Sequence, residues 1–214
     1  ELEKEYGSHP ALLKLQKDVY LATGEWPLLM STLDVLRSQG LIEQSEFVLL
    51  KEQAYIGWLD SVAHAEGSAG LITVWKTLPR KDRYNADVLA PLCERLIDLN
   101  ASQEAQQLLI EGLDKNLDPR LLVCASKLEL NDYHPLLTNL EKKAAKESLA
   151  ELHSPLAHLY VKEGKVEQAE LHLQQAVALQ PSAADYILLA TLAEQREDIA
   201  QANEYYRHSL ALAS

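Results

Sequence analysis

Apolar residues recur along this chain at the i, i+3, i+4, i+7 spacing of helices that bury one face, and roughly every 12 to 18 residues Gly, Pro or a polar cluster interrupts them. The pattern predicts a first helix over Pro10–Ala22, ended by Gly24, and a second over Trp26–Ser38, ended by Gly40. Leu12, Leu13, Leu15 and Val19 mark the buried face of the first; Leu29, Leu33 and Leu36 mark that of the second. A longer helix follows over Ser45–Glu66, with Phe47, Leu50, Ala54, Trp58 and Val62 inward. Gly67-Ser68-Ala69-Gly70 breaks it, and a short helix over Leu71–Thr77 stops at Leu78-Pro79, because proline cannot continue the hydrogen-bond ladder.

Further helices are predicted over Asn85–Asn100, Ser102–Asn116, Pro119–Leu130 and Pro135–Lys146. Two more pairs follow, Leu149–Lys162 with Val166–Leu179 and Ala183–Gln195 with Ile199–Leu212. Asp118-Pro119 is a clear start, since Asp accepts from free N–H groups and Pro suits the first helical position. Near residue 150 two starts compete. Ser148-x-x-Glu151 reads as a capping box and places Pro155 inside the helix, whereas a Ser154 cap would make Pro155 its first residue. The repeat register favours the longer helix.

That register is the strongest signal in the chain. Aligning Ala169 with Ala202, 33 residues on, puts Leu156-Ala157 on Leu189-Ala190, Leu173 on Tyr206, Ala176 on Ser209 and Val177 on Leu210. Tyr160, Gly164 and Pro181 complete the first copy. A third copy reads Leu92-Cys93, Leu96, Ala105, Leu109 and Leu113, and a degenerate one fills 118–148. Small residues let paired helices approach, while large ones fill the groove left by the next pair. The expectation is an all-α, tetratricopeptide (TPR)-like α-solenoid of about six antiparallel helix pairs, about twelve helices. It is divided here as residues 1–83, degenerate repeats, and residues 84–214, more regular ones, in one continuous superhelical domain.

Composition supports this. Apolar residues are 47% and aromatics 6%, and eight Gly with eight Pro are too few for a many-turned β protein. The net charge of −12 leaves no basic face to displace counterions from phosphates, so nucleic acid is not an expected partner. The densest basic stretch, Lys76 to Arg83, reads as a solvated loop. Cys93 and Cys124 lack CxxC spacing and read as buried thiols of a reducing compartment. No segment has the ~18 unbroken apolar residues of a membrane span. The chain starts at Glu1 rather than Met, so we expect it to be part of a longer protein.

No catalytic constellation emerges. There is no GxSxG or P-loop, and the seven histidines include no HxH or HxxxH pair, so neither catalysis nor a metal site is expected. His153 and His158, five apart, should point to different faces. The TPR register instead puts Asp87, Glu94 and Asp98, then Ser154, His158 and Lys162, then Ile187, Thr191 and Glu194 along a concave partner-binding groove. The first group is acidic, which disfavours a clamp for acidic C-terminal tails and favours a basic or neutral partner segment. Tyr55, Trp58 and Trp75 read as packing between the long and short helices, with an aromatic partner contact as the alternative.

The order of several short elements goes beyond a generic repeat. Gln53-Ala54-Tyr55-Ile56-Gly57-Trp58 precedes Gly70-Leu71, Trp75 and Leu78-Pro79-Arg80-Lys81-x-Arg83. Ala105, Ile110-x-Gly112-Leu113 and Asp118-x-Arg120-Leu121-Leu122 follow. Together they resemble the C-terminal region of the HemY family, proteobacterial inner-membrane TPR proteins associated with late protoheme biosynthesis. The resemblance runs from His9-Pro10 to the Tyr206-Arg207 helix. It implies an N-terminal membrane anchor outside this chain, repeats on the cytoplasmic side of a bacterial inner membrane, and protein partners such as ferrochelatase or protoporphyrinogen oxidase. It implies no agreed catalytic residues and no resident cofactor. Heme or porphyrin as a ligand, with His158 as the candidate contact, is the second reading, and a TPR adaptor unrelated to heme is the third. A flavin-dependent oxidase would need GxGxxG after a strand, which is missing here.

Overall fold

A computed structural model of the chain describes residues 9–146 and 150–213. Among the described residues there are twelve helical segments and no strand. They fall into two compact units, Glu1–Ala101 and Ser102–Ser214.

The first unit holds α1 (Pro10–Thr23), α2 (Trp26–Ser38), α3 (Gln44–Thr77), the single turn α4 (Arg80–Arg83) and α5 (Ala86–Asp98). Helix α1 packs on α2, α2 on α3, and α3 on α5. Leu29, Leu33, Phe47, Leu50 and Ala54 form the core between α2 and α3, closed by Tyr20, Trp26 and Met30. The buried face expected for α1 is corrected here. Leu13 is buried, but Leu15 and Val19 are 57% and 46% exposed, because among the described residues α1 packs mainly on α2 and needs only a narrow stripe.

Two glycines shape α3. Gly67 takes φ 64° and ψ −154°, so the expected break between the long and short helices is one non-helical residue, in a region that side chains rarely adopt. Gly57 lies under the Trp26 indole so closely that a Cβ there would stand 2.5 Å from a ring carbon. The indole Nε1 donates to Ser61 Oγ at 3.1 Å, one turn further along α3.

The second unit holds α6 (Ser102–Lys115), α7 (Pro119–Lys127), α8 (His134–Ala144), α9 (Ala150–Lys162), α10 (Val166–Leu179), α11 (Ala183–Gln195) and α12 (Ile199–Ala213). Helix α6 packs on α7 and α8; α9 packs on α7, α8 and α10; α10 packs on α11, and α11 on α12. The 33-residue register sets what is inside. Leu156, Ala157, Leu189, Ala190, Ala169 and Leu173 have essentially no exposure, and Ala176, Ala202 and Ser209 are buried. Leu210, aligned with Val177, is 69% exposed, since no further described helix follows α12. Each fully buried Leu contributes about 1.5–3 kcal/mol over its exposed state.

Helix α9 is the longer alternative, with Pro155 inside it; Ser148 of the capping box lies outside the described residues. Pro91 occupies the matching place in α5, and each proline precedes the buried Leu-small pair, Leu92-Cys93 or Leu156-Ala157. The polar run at the end of α8 has partners too. Lys143 Nζ and Asn139 Nδ2 each donate to Asp114 at 2.9 Å, holding that carboxyl below its usual range, and Glu141 accepts from the Tyr160 hydroxyl.

Candidate functional site

In the first unit a cleft of about 360 Å³ is lined by Arg37, Phe47, Lys51, Tyr55, Asp82 and Asp87 among others. The Asn85 side chain, accepting from the Asp87 N–H at 3.1 Å, starts α5 and fixes that wall. Tyr55 is buried and hydrogen-bonds Asp82; burial, then the charges of Asp82 and Asp34, push its hydroxyl well above the ordinary phenol value. Arg37 and Lys51 lie 4.6 and 5.3 Å from the Phe47 ring centre, and Lys51 also pairs with Asp34 at 3.2 Å. Asp87 therefore faces a cleft of mixed charge. Glu94 stands 4.0 Å from Arg95, which also bonds Asp60, and Asp98 is exposed. The acidic stretch is interleaved with cations.

The aromatic residues part company. Tyr55 lines the cleft and Trp58 is half-buried, whereas Trp75 is buried, edge-on to Tyr84 at 5.5 Å. Trp75 is core. The basic stretch beside it is not wholly a solvated loop, because Arg83 is half-buried, donates to the Lys76 and Leu78 carbonyls at 2.8 and 3.1 Å, and lies over the Trp75 ring.

In the second unit a cleft of about 300 Å³ runs between α7 and α9. Asp118 caps α7, accepting from the Arg120 N–H at 2.9 Å with Pro119 in the first turn, and so presents Pro119, Leu122 and Val123 as one wall. Helix α9 supplies Ser154, Pro155 and His158 opposite. Val123 is 51% exposed, so the cleft offers water an apolar surface. Behind it Ser154 Oγ donates to Asp185 Oδ1 at 2.6 Å, and Asp185 is only 5% exposed. Burial pushes the His158 imidazole below its usual value, against the attraction of Asp185.

Ser154 and His158 share this cleft; the remaining groove candidates lie outside it. Lys162 Nζ donates to the Leu128 carbonyl at 2.8 Å and Glu129 Oε1 at 2.6 Å, tying down the loop after α7. On α11, Ile187 is 48% exposed, Thr191 Oγ1 donates to the Ile187 carbonyl at 2.9 Å, and Glu194 accepts from the Tyr206 hydroxyl at 3.1 Å.

Sequence reasoning missed one cluster. His153 on α9 and His172 on α10 place their Nδ1 atoms 3.0 Å apart, and Tyr160 stacks on His172 with ring centres 5.5 Å apart. The available signal was the seven-residue spacing of His153 and Tyr160 around Ala157, which puts both on the buried face of α9. Among the described residues, no group of three His, Cys, Asp or Glu side chains is placed to hold a metal ion. Cys93 and Cys124 are both buried.

Over 124 residues the chain is 32% identical to Protein HemY of Escherichia coli (strain K12), a match covering 58% of this chain and 31% of that protein. Over that stretch the chain is similar to HemY. Protein HemY of Shigella flexneri matches to the same extent. The match spans about a third of the length of these HemY proteins. No protein-family model matches the chain. Among solved structures, TTC0263, a thermophilic TPR protein in Thermus thermophilus, superposes with a TM-score of 0.52 at 16% identity, over 75% of this chain and 90% of that one. The fold of the chain is TPR-like. MamA from Desulfovibrio magneticus RS-1 gives a TM-score of 0.47 at 17% identity, over 76% of this chain and 94% of that one. No helix among the described residues is long and apolar enough to cross a membrane.

Proposed function

We propose that this chain is a protein-docking scaffold rather than an enzyme, and that it serves a late step of protoheme biosynthesis at a bacterial inner membrane. The observation that carries the docking reading is the α7–α9 cleft, where Pro119 and a half-exposed Val123 of α7 face Ser154, Pro155 and His158 of α9. At about 300 Å³ it lies at the small end of ligand pockets, so it suits a side chain or two of a partner segment better than a whole tetrapyrrole. Glu151 at the cleft and the net charge of −12 favour a segment with apolar residues next to basic ones. The heme-synthesis setting, the cytoplasmic side and the partners, ferrochelatase or protoporphyrinogen oxidase, rest on the likeness to HemY.

A second reading, direct binding of heme or porphyrin, draws on one observation: His158 lines the cleft with an imidazole that burial keeps uncharged, the form that ligates iron. Titrating the purified chain with heme and with protoporphyrin, while assaying co-purification of the two enzymes with the wild type and Val123→Glu, separates the readings. The scaffold predicts no absorbance shift at micromolar ligand and enzymes retained by the wild type but not by Val123→Glu. A heme shift abolished by His158→Ala would replace the scaffold with a carrier, and partners unconnected to heme would leave a general adaptor.

A further inference from the structure

Polar side chains seldom meet inside a helix–helix seam unless they satisfy each other, and the α9–α10 seam holds two imidazoles that do. His153 is 7% exposed and His172 half-buried; their Nδ1 atoms are 3.0 Å apart, with ring planes 27° apart and centres at 5.2 Å. Two facing Nδ1 atoms at this distance share one proton, so one ring donates and the other accepts. A second proton on that axis leaves two N–H donors facing each other and turns the accepting ring into a cation inside the seam.

We propose that the His153–His172 pair is an acid-sensitive latch, holding α9 against α10 while one proton lies between the two rings and releasing the seam when a second proton arrives. The charged and titratable groups around it are few. From α8, Glu141 acts on His172, and it is already engaged by the Tyr160 hydroxyl. From α9 come His153 itself and Tyr160, which stacks on His172, and Glu163 bears on that tyrosine. From α10 the facing group is His172. Among the described residues of α7 and α11, the other elements packed against α9 and α10, no charged group changes the proton affinity of either ring, and Asp185 of α11 accepts from Ser154. Burial lowers the proton affinity of both rings, and His153 lowers that of His172 further, against the pull of Glu141.

The sign follows. Unfolded imidazoles titrate at about 6.5 and the folded pair below that, so the unfolded chain binds more protons at mildly acid pH. The latch is complete above that value and is lost as pH falls through the lower folded-state values. It stands whether or not the cleft takes a partner, although the same helix supplies Ser154, Pro155 and His158 to that cleft.

Thermal melts of the full chain at pH 7.5 and 5.5 test it, in the wild type and in His153→Gln with His172→Gln, whose amides hydrogen-bond without titrating. The wild type should lose about 3 °C more on acidification than the double variant. Equal losses would overturn the latch. Should the double variant not fold, histidine-selective NMR titration of the wild type decides: both rings titrating below the unfolded value, in linked steps, support it, and two independent rings near 6.5 contradict it.

Discussion

Ser154 on α9 donates a 2.6 Å hydrogen bond to Asp185 on α11, so the residue that faces the α7–α9 cleft is also bonded to a carboxylate with 5% exposure. The serine therefore both lines the cleft and satisfies a buried acid. Ser154→Ala should cost about 1–3 kcal/mol, the penalty for leaving a buried polar group without its partner. Adding Asp185→Leu should recover part of that loss, because both polar groups are then gone. Denaturant midpoints of the single and double variants measure this.

Gly57 admits no side chain. A Cβ at 2.5 Å from the Trp26 ring would push the indole off α3 and break its bond to Ser61, so Gly57→Ala should destabilise the first unit by about 1–3 kcal/mol. In a Trp26→Leu background the same alanine should cost much less, since the clashing ring is gone. A double-mutant cycle reads the coupling.

Much of this fold is legible in the sequence, for physical reasons that differ by element. Helices bounded by Pro, Gly or a capping residue fall where the pattern puts them, as Trp26–Ser38, Val166–Leu179 and Ala183–Gln195 do. The Leu-small pairs at 156–157 and 189–190 are buried as their spacing requires. The turn α4 was missed because four residues carry no periodicity, and the exposure of Leu15 and Val19 depends on how many neighbours α1 has. At the site, the register names Ser154 and His158 as groove residues, and both line the α7–α9 cleft. It could not show that Lys162 is tied to Leu128 and Glu129, or that His153 meets His172, because those contacts join segments whose spacing no local pattern sets.

Asp118 sets where α7 begins. Its carboxylate accepts from Arg120, through side chain and backbone, and the first of these does most to hold the acid below its usual range. Asp118→Ala should cost about 1 kcal/mol near neutral pH, and Asp118→Asn less, because the amide oxygen still caps. The pH dependence is that of a depressed carboxyl: its stabilisation is present above the unfolded value of about 3.9 and is lost as pH falls through the lower folded one. Melts of wild type and Asp118→Ala at pH 7 should therefore differ more than melts at pH 3.

The central claim, that the α7–α9 cleft docks a protein segment, is tested most directly by site-specific photo-crosslinking in cells. A photoreactive residue would replace Val123 in the cleft or Leu171 on α10, which is 55% exposed and outside it. The account predicts discrete protein adducts from position 123, absent from position 171 and lost when His158→Glu is added. No adduct at 123, or the same adducts at both positions, would contradict it.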